Sequence, residues 1–155
     1  MLDDWNLTHV CAACAHRFEA AAEPCQCPKC KIVGKARDFP SAETAEIARQ
    51  NDLFRLGIVA GMPEGMKGHY VVTPGIRALG RDFETACYLA VSAFKDFSED
   101  NDPSGDRGFA ALIVNEVRVY WKIDLYDADC VYGSEEPANP ERTTRVLTIL
   151  LPSEY

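Results

Sequence analysis

Phe109-Ala-Ala-Leu-Ile-Val-Asn-Glu-Val-Arg-Val-Tyr-Trp-Lys-Ile-Asp-Leu-Tyr126 is the stretch that decides the fold. Phe109 to Val114 is an unbroken apolar run of strand length. Asn115-Glu116 is a two-residue turn, and strict alternation follows it. Val117, Val119, Trp121, Ile123 and Leu125 fall on one face of the second strand, and Arg118, Tyr120, Lys122, Asp124 and Tyr126 on the other. Side chains in a strand point to opposite faces with a period of two, so this is an antiparallel hairpin with one face in a core.

Working outward, Thr143 to Leu151 reads as a last strand, apolar on both faces in its second half and therefore central in the sheet. A polar loop, Gly133 to Glu141, leads into it. Upstream, Arg81 to Phe97 repeats apolar residues at three- and four-residue steps: Phe83, Cys87, Ala90, Val91, Phe94 and Phe97. That spacing predicts a helix, with Cys87 as a small core residue. An earlier helix starts after Ser41, a suitable N-cap, and runs to about Leu56, with Ala45, Ala48, Leu53 and Leu56 among its apolar positions. After the glycine-rich segment Gly57–Gly68, His69 to Thr73 reads as a short strand ended by Pro74-Gly75. Residues 39–155 are therefore an acidic α+β domain: two main helices packed on a mainly antiparallel sheet of about four strands.

Residues 1–38 are of another kind, a small N-terminal zinc-ribbon module with a short basic linker. Cys11-Ala-Ala-Cys14 and Cys25-Gln-Cys27-Pro-Lys-Cys30 are two short cysteine turns about a dozen residues apart, the spacing of a tetrahedral zinc site. Five sulfurs are offered for four positions. The proline-containing turn Cys27-Pro-Lys-Cys30 selects Cys11, Cys14, Cys27 and Cys30, leaving Cys25 spare, able to exchange with Cys27, and His16 as a substitute ligand. A closed four-thiolate site is structural, so the expected cofactor is a structural Zn2+. A redox role would place Cys-Ala-Ala-Cys in a βαβ unit, and none surrounds it.

The 155 residues carry a formal charge of −8. Residues 1–38 hold five acids and five bases; residues 39–155 hold 19 acids against 11 bases. A body this acidic speaks against a nucleic-acid groove, where a basic surface is expected, and for a basic protein or nucleoprotein partner. No apolar run is long enough to cross a membrane and no signal peptide is evident, so no membrane association is expected. Seven cysteines, five of them in the metal pattern, fit a reducing cytoplasm better than a disulfide framework.

Candidate chemistry outside the cysteines is sparse. The loop Asp100-Asn-Asp102-Pro-Ser104-Gly105-Asp106 has oxygen side chains at the first, third and fifth places of a calcium loop, but Ala111 stands where the bidentate glutamate belongs. Asp100, Asn101, Asp102 and Asp106 therefore read as a capped turn or a partner surface. The polar face of the long strand offers Lys122 and Asp124, and Arg145 on the last strand is expected beside them. Such a set could bind a polar ligand or serve a small enzyme. No phosphate loop, nucleophile elbow or His-Glu-x-x-His motif is present. No catalytic residue is assigned.

From about Ala45 to Tyr155 the chain resembles a bacterial family known as domain of unknown function 3768. The resemblance rests on Asn51-Asp52-x-Phe54-Arg55, Val72-Thr-Pro-Gly75, Asp100-Asn-Asp-Pro-x-Gly105, Trp121-Lys-Ile-Asp-x-Tyr-Asp127, Gly133-Ser-x-x-Pro137 and Thr144-Arg-Val-Leu-Thr-Ile149. It implies a shared fold and no established activity. After Asn-Asp-Pro-x-Gly the family continues with an acidic residue, His, Asp, Phe and Gly, whereas this chain has Asp106-Arg107-Gly108-Phe109-Ala110. The cysteine module lies outside the resemblance.

These observations lead to a non-enzymatic zinc-binding protein that acts by binding another macromolecule. One concrete form is a mobile-element counter-defence inhibitor (anti-CRISPR or anti-restriction) that presents DNA-like charge to a nucleic-acid-binding complex. The alternatives are a small enzyme or polar-ligand domain using Asp102, Lys122, Asp124 and Arg145, and a zinc-ribbon regulator using Arg17, Lys29, Lys31, Lys35 and Arg37.

Overall fold

The computed structural model describes residues 7–155. β1 (Leu7–Val10) and β2 (Arg17–Ala20) form a two-stranded antiparallel sheet carrying the cysteine module. The remaining elements are α1 (Ala42–Ala60), β3 (Lys67–Val72), α2 (Pro74–Ala78), α3 (Arg81–Ser92), β4 (Phe109–Val114), β5 (Val117–Tyr126) and β6 (Thr144–Leu150). β3 to β6 make one sheet in the order β3-β6-β5-β4. The fold is α+β, as the sequence implies. No helix among the described residues is long and apolar enough to cross a membrane.

The β4–β5 hairpin closes through Asn115 and Glu116 at φ 46° and 69°, the two left-handed residues of a type I′ turn. β5 pairs antiparallel with β6, which is central, and β6 pairs parallel with β3. The parallel pair is joined by a long excursion through α2, α3 and the hairpin. Pro74, expected only to stop a strand, also begins α2 in its N-terminal positions.

α1 and α3 cover the sheet face made by Val119, Trp121, Ile123, Leu147 and Ile149. Phe83, Cys87 and Val91 of α3 enter that core. The helix stops at Ser92, five residues short of the expected end, yet Phe94 and Phe97 still set their ring edges on Trp121 at 6.0 Å. The apolar spacing continued past the helix because the loop buries the same side chains.

α1 differs more. Ser41 caps it, accepting the Thr44 N–H at 3.1 Å. Its inward face carries Gln50, Asn51 and Arg55 beside Ile47, Ala48 and Phe54, while Leu53 and Leu56, two of its apolar positions, are exposed. The inward polar groups answer specific partners. Arg145 Nε donates to Asn51 Oδ1 at 3.0 Å, Asn51 Nδ2 donates to the Asp106 carbonyl at 2.9 Å, and Gln50 donates to the Ala138 carbonyl at 2.7 Å. Arg55 lies over the Trp121 ring, 5.1 Å from its centroid.

Candidate metal centre

Each cysteine turn is built from its own backbone. Cys11 N–H bonds the His16 carbonyl at 2.9 Å and Cys27 N–H bonds the Ile32 carbonyl at 3.0 Å, closing two equivalent loops. In each loop the residue after the second cysteine, Ala15 or Lys31, takes a left-handed conformation, φ 61° and 65°. That tight return brings each pair of sulfurs to one side. The N–H groups of Lys29 and Cys30 point at Cys27 Sγ from 3.4 Å. Burial raises the Cys27 thiol, while these backbone donors together with the neighbouring Cys30 and Cys14 thiols lower it, to about 6.

Cys11, Cys14, Cys27 and Cys30 converge with all four sulfurs within 4.8 Å of one another. Cys11 Sγ is 3.8 Å from Cys30 Sγ, and Cys14 Sγ is 3.7 Å from Cys27 Sγ. Such a cluster can hold a metal ion and fits a zinc ribbon. Cys25 is exposed and outside the cluster, and His16 stacks on Phe18 at 6.2 Å, also outside it.

The module sits against the body. Phe39 packs on Cys11 and Cys27 and meets Phe18 edge-on at 6.1 Å. Val10 N–H reaches the Pro40 carbonyl and Ala12 N–H the Asp38 carbonyl, both at 2.9 Å, so β1 runs beside the chain that leads into α1. Lys35 pairs with Glu99 at 2.8 Å, tying the linker to the acidic loop.

The other expected residues do not assemble into one site. Lys122 and Asp124 pair with each other at 2.8 Å on the sheet face away from the helices. Arg145, expected beside them, is fully buried on the opposite face, because its register opposite Leu125 puts it on the core side. Asp102 is buried elsewhere, next to Arg37. In the acidic loop Asn101 Oδ1 accepts the Ser98 N–H, Asp102 Oδ1 the Arg107 N–H and Asp106 Oδ1 the Gly108 N–H. Asp100 is exposed. These oxygens cap backbone and do not converge on a common point.

A feature missed in the sequence is a cleft of about 1020 Å³ between the start of β3 and the 127–142 loop. Asp127, Asp129, Glu135, Glu136 and Glu141 line it with Lys67 and Arg142. Lys67 Nζ donates to the Glu141 carbonyl and Arg142 pairs with Glu136, so both bases are engaged. The only sequence signal was the density of acids in a polar loop.

The family described as protein of unknown function (DUF3768) matches residues 72–154, more than half of the chain. No curated protein and no solved structure matches it. The matched span runs from the end of β3 past β6 and leaves out the four cysteines and α1. The chain belongs to the DUF3768 family.

Proposed function

We propose that this chain is a zinc-stapled acidic binding protein that recognises a basic macromolecular partner in the cytoplasm. The observation that carries the binding reading is the acid-lined cleft, where five carboxylates meet two bases already engaged. An excess of acids over bases inside a concavity raises the local concentration of positively charged groups and speeds their association. A counter-defence inhibitor presenting DNA-like charge is one form of this reading, and its support is the charge distribution alone.

Zinc as the metal is supported by the sulfur spacing. A tetrahedron with Zn–S bonds of 2.3 Å has edges of about 3.8 Å, close to the separations at Cys11–Cys30 and Cys14–Cys27. Thiolates favour soft and borderline metals over magnesium or calcium.

Two measurements test the reading. Protein purified without added metal is expected to carry one zinc per chain, and Cys27→Ser to lose it. Affinity capture is expected to recover a basic partner whose binding weakens about tenfold or more in Glu135→Lys/Glu141→Lys and falls with salt. A partner indifferent to salt and to both charge reversals overturns the binding reading, while absence of zinc overturns the metal.

A further inference from the structure

Arg55 is 4% exposed and rich in N–H donors, yet among the described residues it makes one hydrogen bond, from Nη2 to the Phe94 carbonyl at 3.1 Å. Its Nη1 lies 3.0 Å from Asp52 Oδ1 without an aligned hydrogen bond, and its Nε has no partner. The Phe97 and Trp121 rings, 5.2 and 5.1 Å from its Cζ, attract the charge but offer no hydrogen-bond acceptor. Buried polar groups in native proteins are nearly always paired, so a guanidinium left this open marks a place where a further group belongs.

Arg55 lines a cleft of about 310 Å³ between α1 and the segment that follows α3. Leu56, Phe94 and Phe97 give the cleft apolar walls, and Asp52, Lys95 and Arg107 complete its charges. Asp52 is shared, with Arg55 on one of its oxygens and Arg107 on the other. One carboxylate cannot neutralise two guanidiniums. Lys95 is exposed and forms no ion pair among the described residues. Three bases against one acid leave the walls with two positive charges, in a chain whose formal charge is −8. None of these residues lines the acid-rich cleft.

We propose that this cleft binds a small phosphate monoester, its charge balanced by Arg55, Lys95 and Arg107 and its organic body set against Leu56 and Phe94. Charge selects phosphate over carboxylate. A phosphate monoester carries close to two negative charges at neutral pH and presents three strong acceptor oxygens, which matches the two uncompensated charges of the walls. A carboxylate brings one charge and repeats what Asp52 already supplies. The guanidinium fork suits a phosphate, and its weak hydration lowers the cost of drying it. The cleft lies at the small end of ligand cavities, which suits a single phosphate with a short substituent.

Inorganic phosphate is the first probe, titrated at constant ionic strength into the full isotope-labelled chain. The amide resonances of Ser92, Phe94, Lys95 and Arg107 are expected to shift together, with a Kd of about 1 mM. Phenyl phosphate, which adds an apolar body, is expected to bind more tightly. Lys95→Gln is expected to weaken both about tenfold, while Lys29→Gln, the same charge change on the ribbon, leaves them unaltered. Asp52→Asn removes the competing carboxylate and is expected to tighten binding, an outcome that a purely structural aspartate does not give. If that variant melts early, the two lysine variants decide. Resonances that stay in place up to about 20 mM phosphate overturn the proposal, as does equal weakening in Lys95→Gln and Lys29→Gln. Acetate binding as tightly as phosphate overturns the ligand class.

Discussion

Asp102 lies 3% exposed in the seam between the ribbon and α1, with Oδ1 held by the Arg107 N–H at 3.0 Å and Oδ2 4.0 Å from Arg37. Burial is the largest influence on its carboxyl and raises its pKa; the Arg107 N–H pulls the other way, and Asp106 adds to the rise. The sign of the stability effect follows. A carboxyl whose folded pKa exceeds its unfolded value binds its proton more tightly in the native state. Its contribution to stability is therefore fullest below the ordinary aspartate range, near pH 4, and is lost as pH rises through the elevated value. Asp102→Asn keeps an Oδ1 acceptor for Arg107 and carries no charge at any pH. Urea unfolding is expected to find the variant more stable than wild type at pH 7, with the difference vanishing near pH 3. A variant less stable at pH 7 means that Arg37 fully compensates the buried charge. The residue stood out in the sequence as a candidate ligand. Its burial was not legible there, because the ribbon and α1 that enclose it come from more than forty residues upstream.

At the scale of elements, the hairpin and β6 could be read directly, since alternation and a two-residue turn are local properties. The parallel pairing of β3 with β6 could not. It joins Gly68 to Arg145, and no local pattern reports a contact at that separation. The pairing depends on a missing side chain: a Cβ on Gly68 would collide with the Arg145 carbonyl and come within 2.6 Å of the Phe54 ring. The ring of Phe54 fills the space above the glycine and stacks on Tyr70 at 4.6 Å, while Tyr70 donates its hydroxyl to the Phe54 carbonyl at 2.7 Å. This one contact locks α1 onto β3. Gly68→Ala is expected to lower unfolding free energy by about 2 kcal/mol, read as a shifted denaturant midpoint at unchanged slope. An unshifted midpoint would mean that β3 moves aside without penalty. The start of α1 was legible at Ser41, whereas the helix runs on to Ala60 instead of ending near Leu56, and its orientation was not legible. Its inward face is set by Asn51 reaching Arg145 and by Arg55 reaching Trp121, so polar residues occupy positions that hydropathy assigns to solvent.

At the scale of the whole molecule, the two parts rest on different forces. The helices and the four-stranded sheet share a continuous apolar core centred on Trp121, Leu147 and Ile149. In the ribbon, the buried residues are Cys11, Cys27 and Phe39, with Cys14 and Phe18 partly buried against them. So small a cluster does not offset the backbone entropy of some thirty residues without a further restraint. A metal ion held by the four cysteines would supply one, since metal binding to such a module is coupled to its folding. The cysteine spacing singled out the four clustered residues in the sequence, whereas the contacts of Phe39 and Lys35 were hidden, because neither residue belongs to a motif. Metal removal should therefore act in two zones. With a strong chelator under reducing conditions, hydrogen exchange is expected to show residues 7–39 losing protection. β5 and β6 should keep theirs, and the first turn of α1 should loosen because Val10 no longer holds the Pro40 carbonyl. Protection lost across β5 and β6 as well would make the ribbon part of the body's own cooperative unit. Protection retained at residues 7–39 would show that Phe39 and the backbone bonds to Asp38 and Pro40 suffice without a metal.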